Sequence, residues 1–479
     1  MINAAFRLEG SEEIGLGHVM RCLTLADRLK QHHVNSIFIS GNKELSDLIK
    51  RRGYLLCVLS SETLTEECDA KESLEYILHN QVSIVVVDHY ELSMKWESII
   101  TPHITCLAVI DDLVHSKHQS NLIINSNPLV KKEDYASLCS NQTRFLLGCD
   151  YVLLGEPFIE EKKALDVIND EPLCINNILV SVGATDPKQY SIKALDSLKK
   201  SGFLGHVNLV LSSSCQWIKT YSFKDYDFSF SIHIDTSNLP SLIVQSDFAI
   251  GSIGNSSWER NFLGLPSLVL VTADNQKSLA EFIKINELAY VVHESELLIT
   301  ISQVLNKSIQ PDINTIRQNG LVLFDGNGAH RIVKEVFSFG FNTHLIAEED
   351  CQDLFQWQNQ KGAREFSRNP DAPSLHEHNS WFIKAMANTK IRMWIITLYN
   401  IKVGYVRLDD HEDYEEISIL IDNQFHGLSI ARMAIDFANS QSLYKNIIAH
   451  VHSNNIASIH VFTACNYYQL DAQNLQWRG

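Results

Sequence analysis

The stretches "SIVVVD" (83–88), "ITCLAVIDD" (104–112) and "NLIIN" (121–125) are apolar almost without interruption. A strand with one wet face alternates apolar and polar residues, so an unbroken run belongs to a strand covered on both faces, as in a parallel sheet flanked by helices. Segments of helical period lie among these runs, at 23–30 and 72–78. Together they predict βαβ units. The pattern starts afresh after a charged, loop-like stretch at about 155–177, with "NILVSVG" (177–183), "VNLVLSS" (207–213), "DFAIGS" (247–252) and "PSLVLV" (266–271). The expectation is an α/β chain with two doubly wound domains in tandem, 1–155 and 156–338, binding a ligand in the cleft outside the carboxyl ends of their strands.

Beyond residue 338 the pattern changes to that of a smaller α+β domain at 343–479. It opens with "HLIAEE", continues with a helical stretch at 353–360 and a hairpin in "MWIITLYNIKVGYVRL" (393–408) turning near Asn400, and adds the strand "EEISILID" (415–422) and a helix at about 427–440.

Composition narrows the function. With 479 residues the chain needs more than one core, and its 45% hydrophobic and 20% charged residues are those of ordinary globular protein. A formal net charge of −17 opposes general nucleic-acid binding, which requires surplus Lys and Arg. No apolar run approaches a membrane span, and the N-terminus lacks a secretion signal, so a cytoplasmic protein is expected. The 10 cysteines form no CxxC pair and are expected as reduced thiols.

In "EIGLGHVMRC" (13–22), Gly15 and Gly17 allow a sharp turn and close approach to a ligand, and Val19, Leu23, Ala26 and Leu29 mark a helix starting near His18. Its free N–H groups and positive dipole end would face the cleft. A neutral imidazole there can accept a proton from water. On the residues alone the motif fits equally a histidine that caps a helix. Asp88 and Tyr90, at a strand end, stand where sugar contacts are expected, or where an Asp caps a turn. In "GSIGNSSWERNFLGLP" (251–266) a strand yields to a helix through small residues, and Gly254, Asn255 and Ser256 suit a diphosphate cradle. Glu259 is expected in the first turn of that helix. Asn275 and Gln276 are expected to touch sugar or phosphate. Asp111, Asp112, His115 and His118 hold metal-ligating atoms but lack a helical HxxxH face, so no metal is expected.

Several motifs in order carry a resemblance: "GLGHVMRC" (15–22), "VDHY" (87–90), "IDD" (110–112), "LLGCDYVLL" (146–154), "VSVGATDP" (180–187), "GSIGNSSWER" (251–260), "GLPSLVLVTADNQ" (264–276) and "DGNGAHR" (325–331). Residues 1–337 resemble the nucleotide-sugar hydrolases of the pseudaminic acid pathway, which remove UDP from UDP-2,4-diacetamido-2,4,6-trideoxy-β-L-altropyranose. Their fold is related to the two-domain N-acetylglucosaminyltransferase of murein synthesis, which implies two Rossmann-like domains in a GT-B arrangement. The resemblance implies that His18 orients and activates water, that Glu259 holds ribose, that Gly15, Gly17, Arg21, Asp88, Tyr90, Gly183, Gly254, Asn255, Ser256, Asn275 and Gln276 line the UDP-sugar site, and that no metal or cofactor is needed.

The C-terminal domain resembles the GNAT N-acetyltransferases. "NQFHGLSIARMAI" (423–435) fits their pyrophosphate loop at Gln424, Gly427 and Ser429, and "VHSNNIASIHVFTACNYY" (451–468) fits a second element at Asn455 and Ser458. The resemblance implies acetyl-CoA as cosubstrate, held at Gln424, His426, Gly427, Leu428, Ser429 and Asn455. Three positions depart from it: Ser429 for a smaller residue, Asn466 for a glycine, and Phe462 where many members carry a proton-donating tyrosine. Segments 357–369 and 376–382 resemble the acceptor side of acetyltransferases acting on 4-amino sugars, with Glu415, Glu416 and His378 as candidate bases. Trp357 and Trp381 fit that side or the core.

The expected function is therefore hydrolysis of a UDP-diacetamido sugar, fused to acetylation of its 4-amino precursor, with small-molecule partners only. A GT-B glycosyltransferase and a sensing protein with a decayed acetyltransferase domain are the alternatives.

Overall fold

The computed structural model describes residues 1–9, 17–60, 65–165, 174–183, 186, 188–223, 226–272, 276–309, 311–471 and 473–478. The chain divides into two compact units: Ala4–Arg28 with Ser36–Ile332, and Val333–Gly479 with Met1–Asn3 and Leu29–Asn35. Among the described residues no helix is long and apolar enough to cross a membrane.

The first sheet holds β1 (Ile2–Leu8), β2 (Val34–Ser40), β3 (Leu55–Val58), β4 (Ile84–Asp88), β5 (Cys106–Ile110), β6 (Leu122–Asn125) and β7 (Arg144–Leu147). Their order is β3-β2-β1-β4-β5-β6-β7, and β1–β4, β4–β5, β5–β6 and β6–β7 pair in parallel. Chain direction across the sheet therefore reverses between β1 and β4. At such a switch point the loops leaving the two strands part and open a crevice.

The second sheet repeats the plan with β8 (Asn177–Ser181), β9 (His206–Leu211), β10 (Ser229–Ile234), β11 (Phe248–Ser252), β12 (Ser267–Leu270) and β13 (Tyr290–Val292), ordered β10-β9-β8-β11-β12-β13. Its switch point lies between β8 and β11. Ile178 and Val180 enter one apolar cluster and Leu179 between them enters another, so the sheet is covered on both faces. That is why its strands read as unbroken apolar runs.

The charged stretch after residue 155 is not all loop. Glu156–Ala164 is a helix with Gly155 as N-cap and Pro157 in its first turn. Pro is tolerated there because the missing N–H has no intrahelical acceptor, and Phe158 buries the helix against the second sheet's cluster. The "DGNGAHR" motif ties this region down. A Cβ on Gly328 would lie 2.1 Å from Val152 O, and Arg331 donates to Asp150 O at 2.9 Å and to Asp325.

The third sheet contains β14 (Phe341–Leu345), β15 (Ile391–Leu398), β16 (Ile401–Asp410), β17 (Glu415–Ile421), β18 (Asn446–His450), β19 (Tyr467–Gln469) and β20 (Asn474–Arg478), in the order β14-β15-β16-β17-β18-β20-β19. Tyr399 and Asn400 turn the β15–β16 hairpin with φ of 48° and 64°, the left-handed pair that matches strand twist in a two-residue loop. Its ladders are antiparallel apart from β17–β18, which pair in parallel only through Glu415–Ile447 and Glu416–Ile448. Beyond Glu416 these two strands have no further pairing, and the "NQFHGLS" loop leaves the end of β17.

Candidate active sites

His18 is the second residue of the helix Gly17–Lys30, which follows β1 at the first switch point, and Asp88 is the last residue of β4. His18 Nδ1 lies 2.5 Å from Asp88 Oδ1. Arg21, one turn along the same helix, donates from Nε to Asp88 Oδ2 at 2.5 Å, from Nη2 to Asp88 Oδ1 at 2.6 Å and from Nη1 to Asp112 Oδ2 at 2.7 Å. Burial opposes the Asp88 charge, but Arg21 outweighs it and holds the carboxyl below its usual range. An ionised Asp88 can only accept, so His18 Nδ1 carries the proton. Nε2 is then the acceptor nitrogen, and it has no hydrogen-bond partner among the described residues.

The Tyr90 ring packs edge-on against His18, centroids 4.6 Å apart, and is 37% exposed. Burial, then Asp112, pushes its phenol up to about 12. Asp88, expected to touch sugar, is instead 0% exposed, with its oxygens taken by His18 and Arg21. Gly15 lies outside the described residues. Gly17 opens the helix without a positive φ, and a Cβ there would meet nothing within 4 Å, so open space rather than backbone conformation suits a small residue.

Of the four residues weighed as metal ligands, Asp112 pairs with Arg21, and Asp111 and His118 join a different network. His118 Nδ1 lies 2.6 Å from Glu97 Oε1, and its Nε2 lies 3.7 Å from Asp111 Oδ2. Burial opposes the charge on His118, but Asp111 and Glu97 prevail and push it up to about 9.

At the second switch point Gly254 is the N-cap of the helix Asn255–Phe262, with φ 146°, and a Cβ there would meet no atom within 4 Å. Gly183, after β8, is similarly open at φ 129°. Asn255 is exposed and Ser256 half-buried at the helix start, while Ser257 turns inward to donate to Ser252 O at 3.0 Å. Glu259 is the fifth residue of this helix, so it stands in the second turn and not the first, beyond reach of the free N–H groups. Burial pushes its carboxyl up to about 7. Gln276 is an internal brace: Oε1 accepts from Thr272 N at 2.9 Å and Nε2 donates to Ile253 O at 3.2 Å, joining the loops after β12 and β11. Asn275 lies outside the described residues. A cavity of about 870 Å³ opens at the carboxyl ends of this sheet, lined by Lys188, Tyr190, Thr272, Lys277, His293 and Glu294 among others. Two lysines and a histidine make it suited to an anion. The lining comes from three separate connections, after β8, β12 and β13, and only its Val271–Thr272 part falls within a quoted motif, 264–276.

In the third sheet's region, Gln424 is exposed in a short turn, its backbone N–H donating to Asp422 Oδ1, and His426 Nε2 lies 3.0 Å from Ile421 O. Gly427 has φ 81°, Leu428 is buried, and Ser429 caps the helix Ile430–Gln441 in the left-handed conformation, φ 61°. Asn455 caps the helix Ile456–Ala464, its Oδ1 accepting from Ser458 N at 3.1 Å. Phe462 is buried against Tyr467, whose hydroxyl donates to Asn439 Oδ1 at 2.8 Å and whose pKa burial drives far upward. Neither ring offers a titrating proton. Trp357 is a core residue, and Arg407 stacks over the part-buried Trp381 at 5.9 Å. Among the candidate bases, Glu415 is 0% exposed and bonded to Arg392, Ser442 and Leu443 N, and His378 is 1% exposed with Nε2 at Cys351 O. Only Glu416 keeps access; it pairs with Arg368 at 3.0 Å and lies 3.5 Å from His450.

The family model described as Acetyltransferase (GNAT) domain matches residues 344–467. The C-terminal domain is a GNAT acetyltransferase domain. The match supports acetyl-CoA as its cosubstrate. A Methanocaldococcus jannaschii protein, MJ1062, is 24% identical over 96% of this chain and 95% of its own. The UDP-2,4-diacetamido-2,4,6-trideoxy-β-L-altropyranose hydrolase of Campylobacter jejuni is 25% identical over 58% of this chain and 94% of its own. Among solved structures, MurG of Acinetobacter baumannii superimposes with a TM-score of 0.50 at 12% identity, over 70% of this chain and 99% of its own. That likeness establishes a GT-B-type pair of Rossmann-like domains ahead of the GNAT domain.

Proposed function

We propose that this chain hydrolyses UDP-2,4-diacetamido-2,4,6-trideoxy-β-L-altropyranose to UDP and the free sugar, and that its GNAT domain acetylates the 4-amino group of the precursor. In this reading residues 1–155 carry the catalytic histidine, 156–338 bind UDP and 343–479 transfer acetyl groups. The observation that carries it is the Asp88–His18 pair: a buried carboxylate fixes the Nδ1–H tautomer and leaves Nε2 to accept a proton.

Water held at Nε2 attacks the anomeric carbon. The proton passes to Nε2, the bond from that carbon to the diphosphate oxygen breaks, and UDP leaves with the electron pair. Asp88 stabilises the imidazolium and Arg21 keeps Asp88 ionised, while Tyr90 limits where the ring can lie. The N–H groups at Gly254, Asn255 and Ser256 would meet charge gathering on the departing diphosphate, with Gly183 giving it room and the lysine-lined cavity taking the nucleotide. Glu259 would accept from the ribose hydroxyls.

For acetyl transfer, the positive-φ turn at Gly427 and Ser429 exposes backbone N–H groups to the pyrophosphate of acetyl-CoA, with Gln424, His426, Leu428 and Asn455 shaping the loop and the parted strands below it. Glu416 is the accessible candidate to take the amine proton. The thiolate takes its proton from a group other than residue 462 or from solvent. Hydrolysis is read by NMR of purified protein with the UDP-diacetamido sugar alone, and acetyl transfer by supplying the UDP-4-amino precursor with acetyl-CoA. UDP released without an added acceptor supports hydrolysis, and turnover only when a sugar acceptor is supplied sinks it in favour of glycosyl transfer.

A further inference from the structure

One carboxylate at the first switch point has no part in the mechanism above. Glu9 follows β1, and its backbone N–H donates to Asp88 O at 3.1 Å, so it stands beside the end of β4. The backbone N–H of Tyr90 bonds to its carboxyl group, and the Tyr90 ring in turn lies against His18. Glu9 Oε2 is buried and has no hydrogen-bond partner among the described residues. His89 Nδ1 approaches it at 3.7 Å, but this is no ion pair. That nitrogen already accepts the Glu91 N–H at 3.1 Å, and burial together with Arg7 pushes the ring down to about 3. The imidazole is neutral, and its lone pair is committed.

Glu9 and His89 therefore oppose one another as acceptors with no donor among the described residues. Burial, then Glu91, raises the Glu9 pKa, as such surroundings require. A buried acceptor without a donor is costly, and the cost is recovered only by a ligand that brings one.

We propose that Glu9 reads the sugar of the bound nucleotide sugar: its side chain is 23% exposed, and its carboxyl group turns to accept a hydrogen bond from an acylamino N–H or a hydroxyl on the ring beside His18. The inference rests on the reading of this site as a UDP-sugar site. The diphosphate and the uracil take no part in the contact. A sugar presenting only an acceptor at that position is excluded, because two acceptors would then face each other unpaired.

The test is calorimetric titration of full-length protein carrying His18→Ala, to prevent turnover, with UDP-2,4-diacetamido-2,4,6-trideoxy-β-L-altropyranose and with UDP. Glu9→Met, similar in length but without an acceptor, is expected to weaken UDP-sugar binding about tenfold or more and leave UDP binding unchanged, whereas Glu9→Gln, which keeps one acceptor oxygen, stays within about threefold. Equal UDP-sugar affinity with Glu9 and with Met overturns the inference while leaving the site reading intact. Failure of UDP to bind at all overturns both. Should Glu9→Met not fold, carboxyl-labelled Glu9 in the His18→Ala protein decides by NMR. Its titration is expected to move down on adding the UDP-sugar and to stay still on adding UDP, and a titration unmoved by the sugar refutes the contact.

Discussion

Replacing Asp88 by asparagine keeps shape and removes charge, so it isolates what the buried carboxylate does. The side chain accepts from Arg21 Nε and Nη2 and meets His18 Nδ1. An amide has only one oxygen. If that oxygen keeps Arg21, the amide N–H₂ turns toward His18 Nδ1, which must then accept. The ring proton moves to Nε2, and Nε2 can no longer take one from water. Loss of the correct tautomer lowers kcat by a factor on the order of 10³ to 10⁴, about 4 to 5 kcal/mol of barrier, with KM little changed. Stability falls less than the about 3–5 kcal/mol expected when a buried ion loses its sole partner, because Arg21 retains Asp112. The assay is initial-rate UDP release with urea unfolding of the same preparation, and Asp112→Asn serves as the comparison. That second change removes a partner of Arg21 without touching His18 and is expected to keep kcat within about threefold. An Asp88→Asn enzyme retaining more than a tenth of wild-type kcat, or an Asp112→Asn enzyme equally impaired, would refute the tautomer argument.

Glu259, with a carboxyl at about 7, is expected to bind ribose better once ionised, so UDP affinity rises as pH increases from 6 to 8; calorimetry of Glu259→Gln should show a smaller rise, and equal slopes would remove the residue from that role. His118 is raised above its unfolded value of about 6.5, so the stability it contributes is complete below that pH and is lost as pH climbs through about 9. Urea midpoints measured from pH 6 to 10 should decline in the wild type and run flatter in His118→Leu, with identical profiles counting against the Glu97–His118–Asp111 network. Ser429→Gly frees an exposed residue from φ 61° and is expected to add about 1 kcal/mol to stability without weakening acetyl-CoA binding; a lower denaturation midpoint would contradict it.

The apolar runs that mark β4, β5, β6 and β11 were legible because both faces of each strand are buried, so every position carries the same demand. Edge strands escape that logic. β10, "SFSIHI", is half-exposed along its length, and β13 is three residues long, so neither stands out from its surroundings. The helix Glu156–Ala164 was hidden by its charges, since Phe158 alone among its residues is buried. The helix at His18 could be placed from the glycines and the apolar spacing, but the partner of the imidazole could not. Asp88 lies 70 residues away, and only the strand order beside β1 brings it there. Glu9 had no signal at all, because an oxygen without a donor is a property of packing. Gln276 and Glu415 show the reverse error: both have useful chemistry, and both have it committed to the protein's own backbone or an arginine.

His18 and Arg21 sit one turn apart on a single helix and grip the same Asp88 oxygen, so none of the three can be exchanged independently. A lineage that abandoned one would be driven to relinquish the others, since a lone buried carboxylate or guanidinium is a liability once its counterpart is gone. Across descendants of this chain the trio should be inherited or lost as a block, which makes it a better marker of retained chemistry than the histidine by itself.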